Sequence, residues 1–252
     1  MKGVYTMANP VLNEKTFQPS IDLENEHPMT INCAILKTCF LGLLMAATFS
    51  YNWYLLVTGF ADKALLLSKI GVFGGLALVL FICFAPKNKL LVITTSLYAL
   101  CEGLILGYIS AQVNKFYPGI ASQAAMGTIF ALFGMLILYK TGLIKATDKF
   151  KMVIFNSTFA IFMIYLIQII LGFFNHSIPG IFSNSPVGIA FSIIVTAVAS
   201  FNLIIDFNMI ENFSGKISKN YEWYCGFSLL VTIVWMYIEI LNLLMKIQSR
   251  NS

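Results

Sequence analysis

Three acidic residues lie inside stretches that are otherwise apolar enough to cross a membrane. They are Glu102, Asp206 and Glu239, in the third, sixth and last of seven such stretches. A charged group at the bilayer centre costs at least ~2.5–3.5 kcal/mol on insertion scales, so such residues usually face a bundle interior or a water-filled path. The chain has 11 Asp and Glu in all. Because three of them stand where ionisation costs most, a pathway for protons or cations is the first hypothesis.

The alternative is that each carboxyl is a neutral, hydrogen-bonded packing element. Glycines near Glu102 bear on this choice. Gly103 and Gly107 form a GxxxG pair directly after Glu102, and Gly71 and Gly75 form another in the second stretch. Small residues at this spacing let helix backbones approach closely, so the four glycines predict helix packing. A glycine face beside Glu102 would turn its carboxyl toward protein, where a polar partner can meet it.

Composition places the chain among membrane proteins. Hydrophobic residues make up 58% of the 252 and charged residues 11%, whereas a soluble domain usually carries about 25% charge. Seven apolar stretches each come near the ~20 residues that a bilayer requires. The stretches are Ile35–Val57, Leu65–Phe84, Leu90–Val113, Ala121–Tyr139, Val153–Phe174, Val187–Ile210 and Tyr224–Met245.

The predicted fold class is therefore all-α, a polytopic bundle of seven transmembrane helices. None of the stretches alternates with the period of two that a transmembrane barrel needs. Residues 1–30 are polar and predict a partly disordered cytosolic arm, and residues 31–252 predict the seven-helix membrane domain.

Lysine and arginine predict the orientation, because cytosolic loops carry an excess of both. An inner N-terminus places eleven of the 16 on the inner side and five outside, so we expect a cytosolic N-terminus and an external C-terminus. The inner set is Lys2, Lys15, Lys37, Lys87, Lys89, Lys140, Lys145, Lys149, Lys151, Lys216 and Lys219. The outer set is Lys63, Lys69, Lys115, Lys246 and Arg250.

Several classes of function receive no support. The net charge of +5 comes from lysines spread over short loops rather than along one face, so no nucleic-acid partner is expected. The five cysteines contain no CxxC and predict free thiols. The two histidines have no partner at metal-ligand spacing. Without GxSxG, HExxH or a P-loop, we expect neither an enzyme nor a resident cofactor.

Short segments along the chain resemble the Bax inhibitor family, and specifically its longer bacterial branch. The resemblance runs from about Asn9 to Lys246 and agrees with the count of seven spans. The segments that carry it are Asn9–Leu12, Met29–Asn32, Glu102–Leu104 with Gly107, Asn202–Phe207, Glu222–Tyr224 and Trp235–Asn242.

The resemblance implies a seven-helix bundle whose bacterial members leak calcium in a pH-dependent way. In that family two acidic residues on the last two helices share a proton and latch the pore, and here they match Asp206 and Glu239. The second is Glu where the family has Asp, and the chain between the two is longer. A hairpin centred near Lys216 would leave the two carboxyls ~20 Å apart in depth.

The intramembrane carboxyls predict a path for cations, and the resemblance implies a pH-sensitive leak, for calcium first, in the bilayer of a bacterial inner membrane. Calcium takes hard oxygen ligands, and carboxyls such as Asp206 and Glu239 would meet it in transit. The alternative is a non-conducting regulator that binds membrane proteases or stress-response proteins. Neutral replacement of the carboxyls would change ion flux under the first hypothesis and leave partner binding intact under the second.

Overall fold

The structure, a computed structural model, describes residues 28–84 and 90–251. Seven helices account for most of these residues, no strand occurs among them, and the prediction of an all-α chain is confirmed. The helices are α1 (Ile31–Val57), α2 (Ala61–Phe84), α3 (Leu90–Phe116), α4 (Ile120–Lys140), α5 (Asp148–Phe173), α6 (Pro186–Phe213) and α7 (Tyr221–Asn251).

All seven of these helices are long and apolar enough to cross a membrane. Many large apolar side chains on them are exposed, for example Phe73, Phe130 and Phe173, which are 72%, 75% and 82% exposed. Apolar surface on this scale is costly in water and is suited to contact with lipid.

Most of the helices run past the apolar stretches that predict them. α1 begins four residues early, where the Thr30 hydroxyl accepts a hydrogen bond from the Cys33 amide. α5 begins at Asp148 behind the same kind of cap, in which Thr147 accepts from the Phe150 amide. A capping hydroxyl satisfies one of the amides that lack a partner at a helix start, so the caps set these two starts rather than the limits of the apolar run.

The chain forms two compact units. Among the described residues, one unit consists of residues 28–84, 90–121 and 210–231. Within it α3 packs against both α1 and α2. A core of Leu55, Leu56, Ala64 and Ala111 joins the three helices.

The other unit consists of residues 122–209 and 232–251. It holds most of α4, all of α5, α6 up to Met209, and α7 from Thr232. One core cluster joins Ile154 to Ile205, and a second joins Ile161 to Val195 and Val198. Both clusters pack α5 against α6.

The predicted arm lies mainly outside the described residues, as do Lys2, Lys15, Lys87 and Lys89. Its last part pairs with the α6–α7 connection. The Met29 amide donates to the Ile217 carbonyl at 2.8 Å, and the Gly215 amide donates to the Met29 carbonyl at 2.9 Å. Gly215 has φ of +76°, which suits glycine at this turn. The start of α1 and the α6–α7 connection therefore lie at the same end of the helices.

Candidate functional site

The Asp206 carboxylate lies between α6 and α7. Thr232 on α7 donates a hydrogen bond from Oγ1 to Asp206 Oδ2 at 2.6 Å. Asp206 is 0% exposed, so its carboxylate is buried within the protein. A buried carboxylate needs donors to offset its desolvation, and Thr232 supplies one.

The Glu239 carboxylate is held by two aromatic donors. Tyr165 on α5 donates its hydroxyl to Oε1 at 2.8 Å and approaches Oε2 at 3.0 Å. Trp235, one turn earlier on α7, donates Nε1–H to Oε1 at 3.1 Å. Both donors are neutral, and Glu239 is 2% exposed. The two donors thus position the carboxyl without carrying charge, and the positive charge of Lys246, two turns further along α7, acts on it electrostatically.

A third polar residue of α7 is a lysine that lies inside the protein. Lys246 Nζ donates to the Ile181 and Gly188 carbonyls, each at 3.0 Å, and to Ser192 Oγ at 2.9 Å. Only 7% of Lys246 is exposed. The lysine distribution predicts Lys246 at the outer end of the chain, where it would be exposed, but Lys246 is buried and has three acceptors.

Thr232, Glu239 and Lys246 recur at intervals of seven, so they share one face of α7, since seven residues make about two helical turns. Their partners on α6 follow the same register. Thr232 and Lys246 are fourteen residues apart, as are the α6 residues that they contact, Asp206 and Ser192. The two helices therefore pair antiparallel.

In this register the α6 position level with Glu239 is Ala199, which is fully buried. Asp206 lies level with Thr232, seven residues from Glu239 along α7, or about 10 Å of helix. This is half of the ~20 Å that the hairpin estimate predicts. Part of the difference arises because residues 214–220 are not helical, and part because α7 begins four residues before the position that is level with the end of α6. The described contacts thus bring the two carboxyls onto one helix pair at different levels.

Glu102 lies in the other unit, where it is half-buried on α3. Tyr98, one turn earlier on the same helix, hydrogen-bonds to its carboxyl. A Cβ at Gly75 on α2 would come within 3.8 Å of Glu102 Oε1. The carboxyl therefore points toward the glycine face of α2 and has a phenol as a polar partner.

The four glycines lie where helices come close together. A Cβ at Gly103 would collide with Thr48 and with the Met45 carbonyl of α1, and one at Gly107 with the Phe49 carbonyl. On α2, a Cβ at Gly71 would lie 2.7 Å from the Cys101 carbonyl of α3. Gly75 has more room, with the nearest atom at 3.7 Å. Three of the four thus permit direct backbone contact of the kind that small residues allow.

Sequence reasoning missed a third buried acidic residue, besides Asp206 and Glu239. Glu222, in the first turn of α7, is 1% exposed, forms an ion pair with Lys37 of α1, and accepts a hydrogen bond from the Thr30 amide at 3.1 Å. Lys37 also lies 5.4 Å from the centre of the Trp223 ring. No local pattern joins residues so far apart in sequence, and Glu222 reads as an ordinary acidic residue at a helix start.

The described residues contain no group of three or more His, Cys, Asp or Glu side chains placed to hold a metal. All five cysteines are free thiols, as the sequence predicts. A cation at Asp206 or Glu239 would therefore meet a single carboxyl with a hydroxyl beside it.

In a comparison with known families, residues 9–249 match the family described as Bax inhibitor 1 like. The comparisons with curated proteins and with solved structures found no match. The matched region takes in all the acidic residues described above.

Proposed function

Because the chain belongs to the Bax inhibitor 1 like family, we propose that it is a pH-sensitive leak channel for calcium or other cations. It is a multi-pass membrane protein. We further propose a cytosolic N-terminus, a bacterial inner membrane as its location, and no catalytic activity or resident cofactor.

The observation that carries the proposal is the placement of two buried carboxyls, Asp206 and Glu239, along one antiparallel helix pair. Both lie in helices apolar enough to span a bilayer, and neutral hydroxyl or indole groups donate to them. Acidic residues inside membrane helices are costly and usually mark ion or proton paths. Carboxylate oxygens are also the ligands that calcium prefers.

We propose that the two carboxyls act at successive levels of one path. A cation moving along the α6–α7 pair would meet Asp206 at one level and Glu239 about two turns further on. Protonation of either carboxyl removes the negative charge that attracts the cation. Flux should then depend on pH through both groups.

Purified protein in liposomes with a trapped calcium-sensitive dye tests the proposal. We expect calcium entry that varies with pH and that Glu239→Gln reduces. The matched control is Glu211→Gln, because Glu211 is an exposed glutamate near the end of α6.

Protein that is folded and correctly inserted but conducts no cation at any pH would overturn the proposal. The remaining hypothesis would be a regulator that binds membrane proteases or other membrane proteins. Co-purification of the wild type and of Glu239→Gln with the same membrane partner would support that hypothesis.

A further inference from the structure

The connection between α5 and α6 is tied to the last turns of α7. Residues 174–185 contain no helix, yet several side chains hold them. Lys246 donates to the Ile181 carbonyl inside this connection and to the Gly188 carbonyl just after it. Ser249 also contacts Asn184 through a side-chain hydrogen bond. A buried lysine that donates to backbone carbonyls holds a loop more firmly than a solvated one, since charged donors make the stronger hydrogen bonds.

The backbone of the same connection lies directly against the start of α6. A Cβ at Gly188 would lie 2.8 Å from the Gly180 carbonyl oxygen and 3.0 Å from that of Ile181, and still closer to that of Ser183. A side chain at Gly188 would therefore displace the connection by steric clash, without removing the charge of Lys246.

Aromatic rings connect the segment to the carboxyl site. The centroid of the Phe182 ring lies 5.6 Å from the centroid of the Tyr165 ring and 6.2 Å from that of the Phe191 ring. Tyr165 is the residue whose hydroxyl donates to Glu239. Phe182 thus packs against the side chain that holds the carboxyl, and displacing the segment would remove this contact from Tyr165.

We propose that residues 174–185 form a cap over the Glu239 carboxyl, that Lys246 holds this cap shut, and that a cation reaches Glu239 only when the cap is released. That the cap restricts a cation rests on the proposed function. That the cap restricts access from water to Glu239 does not depend on whether the protein conducts.

Access can be measured without conduction. In a protein whose five native cysteines are replaced, Glu239→Cys gives one thiol at the level of the carboxyl. A water-soluble thiol reagent should modify it slowly in the wild-type background. With Lys246→Met, which keeps the length of the side chain and removes its donors, we expect modification to be about tenfold faster, as the loss of about one net hydrogen bond implies.

Gly188→Ala should accelerate the same reaction by lifting the cap while leaving Lys246 in place. Lys115→Met and Gly134→Ala are the matched controls, because Lys115 is exposed and a Cβ at Gly134 would meet no atom within 4 Å. If neither Lys246→Met nor Gly188→Ala speeds modification, there is no cap. If only Gly188→Ala does, the cap exists but Lys246 does not hold it, which overturns that assignment.

Flux in liposomes, with Glu239 restored, completes the test. Lys246→Met and Gly188→Ala should each raise calcium entry above wild type, and the controls should not. Faster modification with unchanged flux in a conducting wild type would overturn the cap as the barrier to cations. If modification is faster but neither the wild type nor any variant conducts, the proposed function is wrong, and the conclusion that the cap restricts access to Glu239 is kept.

Discussion

Thr232 on α7 donates a hydrogen bond of 2.6 Å to the Asp206 carboxylate on α6, and this contact marks the level at which the two helices meet. The Lys246–Ser192 contact repeats the register fourteen residues away. A slide of either helix by one turn would break both contacts. Asp206 would then lose its hydrogen bond from Thr232, and Lys246 would lose its hydrogen bond to Ser192. Because a polar group is costly to bury without its partner, the register of the pair should be well defined.

The Thr232 contact can be removed with little change of shape. Thr232→Val keeps the branched side chain and deletes the hydroxyl, so we expect a loss of about 1–2 kcal/mol in the free energy of unfolding. Thermal unfolding in detergent or nanodiscs measures it. Thr232→Ser retains the hydroxyl and is the matched control. A valine variant as stable as the serine variant would mean that the hydroxyl contributes nothing to the helix pair.

Glu102 provides a second test, in the unit that includes α1, α2 and α3. Glu102→Gln retains the capacity to hydrogen-bond with Tyr98, so the fold should persist. Flux or its pH response should change, because an acidic residue inside a membrane span usually marks an ion or proton path, and Glu102 would then belong to the path together with Asp206 and Glu239. Liposome flux across a pH series is the measurement, alongside thermal stability. Asp62→Asn, at an exposed acidic residue in the first turn of α2, is the control. If Glu102→Leu conducts as wild type does and is more stable, Glu102 is only a packing element.

The fold was largely predictable because hydropathy reports on the bilayer. A run of about 20 apolar residues is what spanning requires, and each predicted stretch overlaps one of the seven helices. The helix ends were less predictable, since caps and not hydropathy set them. Thr30 and Thr147 each extend a helix beyond its apolar run.

The candidate site was predictable only as a set of residue types. Asp206 and Glu239 stand out because charge inside an apolar run is conspicuous, but their partners Thr232 and Tyr165 look ordinary in sequence. Which hydroxyl meets which carboxyl depends on the rotation and register of the packed helices. One signal was available: Thr232, Glu239 and Lys246 lie seven residues apart, which places them on one face of α7.

We predict the orientation of the chain in the membrane from the lysine bias. We expect a cytosolic N-terminus and an external C-terminus, since eleven of the 16 Lys and Arg then face inward. The pairing of Met29 with the α6–α7 connection is consistent with an even number of crossings between them. Reporters fused to either end measure the orientation, and an internal loop fusion at Lys145 is the control. A C-terminal reporter active only in the cytosol would contradict the assignment.

The two carboxyls of the α6–α7 pair give the sharpest test of how the path works. Asp206 lies level with Thr232 and Glu239 level with Ala199, about 10 Å further along α7. Groups at that separation interact weakly compared with two that share a proton. We therefore expect Asp206→Asn and Glu239→Gln each to change the pH response of flux, and the double variant to show the sum of the two changes on a free-energy scale.

Asp62→Asn combined with Glu211→Gln is the matched double control at exposed positions. A double variant no different from either single one would instead mean that the carboxyls share one proton and act as a single latch.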